Sequence, residues 1–137
     1  MTFPDDVSRF LGEPHFLTLS TFRKDGTIQM SIVWFEYDGE LFRVSVTTER
    51  AKYKNVRRNK NVSFLIPDKD NNYKYVQVGG EVVGIDTDKD FAFIDSESKR
   101  YLGKDRYPYD LERKDHRIVV SIKPRDFASV GFKDSRE

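Results

Sequence analysis

A small, mainly antiparallel β-barrel with peripheral helices is the fold class this sequence predicts, and three observations point to it. Two Asp-Gly pairs, Asp25-Gly26 and Asp38-Gly39, separate stretches rich in alternating apolar and polar residues. Asp-Gly tolerates the positive φ angles that tight hairpins require. Helical periodicity is confined to two or three short stretches, without the strand–helix alternation of a doubly wound sheet. The chain carries 11 Phe, 7 Tyr and 1 Trp in 137 residues, enough bulky rings to fill one compact core.

The elements follow in order. Pro4 to Leu11 reads as a short helix, with Val7, Phe10 and Leu11 at helical spacing and Gly12 as its stop. His15 to Phe22 reads as a strand. After the turn at Lys24-Asp25-Gly26, a long strand runs from Thr27 to Tyr37, and Asp38-Gly39 turns it into Leu41 to Thr47. Three hairpin-linked strands make a meander. The stretch from Glu49 to Lys60 then reads as a helix with Thr48 as its N-cap and Ala51 and Val56 facing inward. Asn61 to Ile66 is a strand stopped by Pro67, and Tyr75 to Ile85 is another, whose Gly79-Gly80 pair marks a bulge or a close backbone approach. Thr87 opens a helix with Phe91, Ile94 and Ser98 or Tyr101 on one side. Ile118 to Ile122 and Phe127 to Phe132 close the chain as strands, for about seven in all. With no repeat, low-complexity tract or linker, residues 1–137 are expected to form a single domain.

Composition excludes several functions. Without cysteine there is no disulfide framework, thiolate metal site or thiol nucleophile. The longest apolar runs are far short of the roughly 20 residues that span a bilayer, and no signal-peptide pattern opens the chain, so the expected compartment is the cytoplasm. His15 and His116 stand apart, outside any metal-binding spacing, and no metal site is expected. No serine sits in a nucleophile elbow, and neither a Rossmann nor a P-loop glycine pattern occurs. An enzyme with this inventory depends on a borrowed cofactor for any difficult step.

The net charge is +1, too small to draw the whole molecule to nucleic acid or an anionic membrane. Its distribution is uneven. Residues 49–60 carry Arg50, Lys52, Lys54, Arg57, Arg58 and Lys60 against the single Glu49, a local charge of +5 that leaves −4 for the rest. Just before them a strand ends in the hydroxyls of Thr47 and Thr48. Hydroxyl donors, helix-start N–H groups and fixed cations together suit a phosphate, and this junction, residues 45–55, is the candidate site. The alternative is a solvated basic helix with surface ion pairs.

The ordered segments His15-Phe-Leu-Thr-Leu-Ser-Thr21, Lys24-Asp-Gly-Thr-Ile-Gln-Met-Ser-Ile-Val-Trp34, Tyr37-Asp-Gly39 and Thr47-Thr-Glu-Arg-Ala-Lys-Tyr-Lys-Asn-Val-Arg-Arg-Asn59 resemble the pyridoxamine-5′-phosphate oxidase-like split-barrel superfamily. The segments Tyr73 to Val83 and Lys99 to Tyr109 are similar to its branch of deazaflavin (coenzyme F420)-dependent reductases. The likeness covers about residues 12–125. It implies a split, FMN-binding-like β-barrel of six or seven strands, assembled as a homodimer with cofactor sites at the subunit interface.

The resemblance also implies roles. Arg50 and Lys52 match the cations that grip a cofactor phosphate, and Thr47 and Thr48 match the hydroxyl-bearing strand end beside it. Gln29, Ser31 and Val33 match strand positions along the ring system and its linker, and Tyr75 a contact from the partner subunit. Ile28 and Ile32 stand where prolines are frequent, Gly79 stands where a basic residue often occurs, and the chain ends without the Trp-Arg substrate segment of the vitamin B6 oxidases. The expected activity is hydride transfer from F420 to an unidentified small-molecule acceptor, with no catalytic residue named; Tyr75 and Tyr109 are candidate proton donors or interface residues. The alternatives are an FMN-dependent oxidoreductase of the same fold or a non-catalytic flavin- or haem-binding protein.

Overall fold

A computed structural model describes residues 1–109 and 116–135. Helix α1 spans Asp5–Leu11, and strands β1 to β4 span Leu17–Phe22, Ile28–Val33, Glu36–Tyr37 and Phe42–Thr47. Helix α2 spans Ala51–Arg58, β5 Asn61–Asp68 and β6 Asn71–Thr87. A 3₁₀ turn, Lys89–Phe91, leads into α3, Ala92–Leu102, and β7 spans Arg117–Val130. All seven strands form one sheet in the order β2-β1-β5-β6-β7-β4-β3, and every pairing is antiparallel. Its outermost strands, β2 and β3, are separated by only Trp34 and Phe35. Three Cα steps of about 3.8 Å cannot hold the two edges far apart, so the sheet curls into a barrel split at that corner.

That corner corrects the expected meander. The long strand from Thr27 to Tyr37 breaks into β2 and β3, because Phe35 turns its ring into the core with 0% exposure. Its backbone leaves the ladder for α3: the Phe35 amide donates to the Tyr101 hydroxyl at 3.1 Å, and its carbonyl accepts from Arg100 Nη1 at 2.6 Å. The two Asp-Gly hairpins therefore lie at opposite edges of the sheet.

The core gathers alternate residues from the strands and caps them with Phe3, Val7, Phe10 and Leu11 from the N-terminal segment and α1. Phe42 sits at its centre, its ring 4.5 Å from that of Tyr37, 4.9 Å from Phe64, and about 6 Å from Phe3 and Phe35. One end of this core is tied by His15, which stacks on Phe10 at 4.1 Å. Its Nδ1 accepts the Lys69 amide at 3.2 Å, so the ring proton sits on Nε2, facing Glu13 at 3.1 Å.

Other boundaries shift for identifiable reasons. Pro67 lies inside β5, not beyond it. Pairing with β1 ends at Leu65, so the amide that proline lacks falls on an unpaired margin. The two expected C-terminal strands are one, β7, interrupted where Gly79 faces Asp126 and Gly80 faces Pro124, which leaves Arg125 as the extra residue of a bulge. Here the paired glycines serve close approach: a Cβ on Gly80 would stand 2.7 Å from Ile122 Cγ2 and 2.9 Å from the Lys123 carbonyl. The α3 region starts after Thr87, because β6 continues through that residue. Asp88 then caps the helix, its carboxylate accepting the amides of Phe93 at 2.9 Å and Ile94 at 3.0 Å.

Candidate functional site

The strand β4 delivers Thr47 to the mouth of the barrel, and two residues of turn separate it from Arg50, the N-cap of α2. Thr48 is not the cap. Its amide donates to the His116 carbonyl at 3.1 Å and its hydroxyl lies 3.5 Å from His116 Nδ1, which fastens the turn to the start of β7. The inner face of α2 is Asn55 and Val56, whereas Ala51 is exposed. Asn55 Nδ2 donates to Thr21 Oγ1 at 3.0 Å, and that hydroxyl donates to Gln29 Oε1 at 3.0 Å. This relay fixes β2 against β1 and α2.

A cavity of about 420 Å³ opens between β2, β4, α3 and the start of β7. Of the residues singled out from sequence, Ile32, Val33, Thr47, Arg50, Lys52 and Tyr109 line it. Ser31 lies behind them and accepts Lys52 Nζ at 3.2 Å. Gln29 is one step farther along the same face of β2, in the relay and off the cavity wall. Neither Thr48 nor Tyr75 lines this chain's cavity; Tyr75 lies on β6, between Pro67 and Val130 in the ladder.

Ser45, the first residue of the expected junction, shares a face of β4 with Thr47. Other wall residues escape a reading by strand alternation. Arg117 could not be placed that way, since only the β4–β7 register sets it opposite Thr47. It is buried at 7% exposure, donates to Ser45 Oγ at 3.0 Å and lies over the Tyr107 ring at 4.5 Å. Trp34, the only tryptophan, stacks on Tyr101 at 4.9 Å and meets Tyr107 edge-on at 5.9 Å. Glu97 also contributes to the wall, from α3.

One end of the cavity is thus cationic and hydroxyl-bearing, the other aromatic. Burial lowers the pKa of half-buried Lys52, and the positive charges of Arg50 and Arg117 lower it further. Among the described residues no carboxylate pairs with Arg50 or Lys52. Thr47 Oγ1 is buried without a hydrogen-bond partner among them. An oxyanion in this corner would relieve the repulsion between the cations and supply the acceptor the Thr47 hydroxyl lacks. The residues present therefore fit a group that carries a phosphate and a planar ring.

A seven-stranded antiparallel split barrel with a cationic corner and an aromatic wall defines a cofactor-binding class of small β-barrels. The chain belongs to the pyridoxamine 5′-phosphate oxidase-like split-barrel family, whose family model matches residues 3–131. Among solved structures it is similar to an F420 reductase, at 33% identity and a TM-score of 0.82 over 92% of this chain and 98% of that one. It is similar also to a conserved hypothetical protein from Mycobacterium tuberculosis, at 26% identity and a TM-score of 0.69 over 95% and 85% of the two chains. The haem storage protein HutZ from Vibrio cholerae shares the fold at 17% identity and a TM-score of 0.66, over 96% of this chain and 97% of HutZ. No curated protein is significantly similar to the chain. The family includes oxidoreductases, and no helix among the described residues is long and apolar enough to cross a membrane.

Proposed function

We propose that this chain is an oxidoreductase that binds F420 at a homodimer interface and transfers hydride to a small-molecule acceptor. The cationic corner carries the reading: Arg50 and Lys52, without carboxylate partners among the described residues, beside the buried, orphaned hydroxyl of Thr47. The likeness to an F420 reductase supports the choice of cofactor. When bound, a deazaflavin supplies the hydride. The protein's part is to hold the phosphate through Arg50 and Lys52, to lay the ring along Val33 and Trp34, and to exclude water there. FMN, with a phosphate and a similar ring, is the second reading, because the same corner would hold it. A haem-binding role has no such support, since neither His15 nor His116 lines the cavity.

Cofactor choice is tested by titration. F420 carries a phosphodiester and a tail of several carboxylates, which suits the +5 segment better than the single phosphate of FMN. Each exposed ion pair contributes about 0.2–1 kcal/mol, so three or four shift preference by about one or two powers of ten. F420 should bind more tightly than FMN at low salt, with the gap narrowing toward about 0.5 M as screening grows. FMN binding more tightly at every salt concentration would reverse the assignment.

The dimer reading rests on β2. Ile28, Met30 and Ile32 form an outward row with 53%, 62% and 69% of their surface exposed, on a strand at the edge of the sheet. Ile32 also forms part of the cavity lip, so a second copy covering this row would close the site. An obligate interface buries about 2,000 Å² or more. Sedimentation should show a dimer at micromolar concentration and a shift toward monomer on Ile32→Asp. A parent protein that runs as a monomer would remove the reading.

A further inference from the structure

Among the described residues Glu97 is the acid that lines the cavity, and only 1% of it is exposed. Its counter-charge, Arg100, is poorly spent on it. Arg100 Nη1 reaches the two carboxyl oxygens at 3.2 and 3.3 Å, long for a bond between opposite charges. The same nitrogen makes its short bond, 2.6 Å, to the Phe35 carbonyl, and Nη2 donates to the Gly12 carbonyl at 3.3 Å. The guanidinium chiefly pins α3 to the β2–β3 corner. A buried carboxylate so weakly compensated favours its neutral form. Burial raises the Glu97 pKa to about 7 against the pull of Arg100, and Glu36 of β3 adds to the rise.

The other groups facing it do not serve as well. Tyr101, beside it on α3, is raised to about 12 by burial, and its hydroxyl is committed to the His15 carbonyl at 2.6 Å. Around the cavity stand Arg117 at the start of β7, Lys52 of α2 and its N-cap Arg50, Tyr107 against Trp34, and Tyr109, whose side chain is exposed to solvent. Arg50 and Lys52 belong to the anion corner, and Arg117 reaches from it to lie over the Tyr107 ring at 4.5 Å. Only the long bonds to Arg100 offset the Glu97 charge among the described ion pairs, and an uncharged residue would cost less to bury there.

We propose that Glu97 is the proton donor of this cavity, delivering its carboxyl proton to an acceptor seated against Trp34 and Tyr107. The proposal rests on the oxidoreductase reading above. Reduction of such an acceptor takes a hydride from the reduced deazaflavin, where a C–H bond breaks and a new bond to the acceptor forms. The electron pair displaced onto the acceptor takes the proton as the Glu97 O–H bond breaks. Glu97 is left as a carboxylate beside Arg100 and regains its proton from water.

Two measurements on the full chain test it. The first reads the acid without any cofactor: urea unfolding across about pH 4–8, for the parent and Glu97→Gln. A carboxyl whose folded pKa is raised stays protonated while the unfolded chain ionises. Stability should therefore fall from about pH 4.5 to about 7 and level off above. The difference between parent and variant should show this limb, other groups cancelling. The second follows reoxidation of reduced F420 by dichlorophenolindophenol in stopped flow. Glu97→Gln should slow it about 100-fold or more and remove the limb near pH 7, with F420 affinity, read from Trp34 quenching, within about twofold. Glu97→Asp, with the acid drawn back one methylene, should recover part of the rate. An unchanged rate and pH profile in Glu97→Gln, or a parent-minus-variant stability curve flat with pH, overturns the proposal. Failure of the cofactor reading looks different: the parent itself then neither binds nor reoxidises reduced F420 or FMN, and both readings fall together.

Discussion

Replacing Phe42 with Ala should lower folding stability by about 3–5 kcal/mol, the range for truncating a large core aromatic. Its ring has no exposed surface and meets four other rings, from Phe3, Phe35, Tyr37 and Phe64. Those partners come from the N-terminal segment, the β2–β3 corner, β3 and β5, so one truncation opens a void shared by elements far apart in sequence. The void cannot collapse easily, because Phe35 is held by Tyr101 and Arg100 through its backbone. Urea unfolding reads the effect as a shift in midpoint at unchanged slope. A loss under about 1 kcal/mol would mean that the core repacks around Phe42 and that its ring contacts are incidental. Cofactor binding should weaken in parallel, since the same corner places Trp34 in the cavity wall.

Lys52→Ala should weaken binding of F420 or FMN by about 1.5–3 kcal/mol, roughly 10- to 150-fold in Kd. The side chain reaches from α2 into the cavity, and its protein partner there is the Ser31 hydroxyl at 3.2 Å, a neutral group. Stability should not suffer. Ala is the better helix former, and removing Lys52 relieves its repulsion with Arg50 and Arg117. A variant that is as stable as the parent and binds about tenfold or more weakly separates an anion-binding role from a structural one. A variant binding both cofactors as tightly as the parent would show that the phosphate lies elsewhere.

The sequence by itself determined the antiparallel class, the two Asp-Gly turns, the position of α1 and α2, and the cationic end of the site. These depend on local causes. Asp25-Gly26 and Asp38-Gly39 supply positive φ within a few residues, and Gly26 and Gly39 do adopt it, at 87° and 95°. Thr47, Arg50 and Lys52 lie within six positions, so a strand end and a helix start suffice to bring them together. The close approach at Gly79-Gly80 was legible for the same reason: a missing side chain marks where backbones converge.

The tertiary structure alone decided the remainder. The break of the long strand at Trp34-Phe35 is invisible locally, because the partners that take the Phe35 backbone are side chains about 65 residues away on α3. Alternation predicts a continuous strand there, and only competition from Tyr101 and Arg100 for its amide and carbonyl ends it. The same holds for the aromatic end of the cavity and for Arg117, which the β4–β7 register sets across from Thr47. Nothing in the sequence analysis distinguishes Glu97 from the other acids of the chain. Its burial, and the diversion of Arg100 to the Phe35 carbonyl, arise when α3 packs over the corner, and a carboxyl's proton affinity follows from what surrounds it in space.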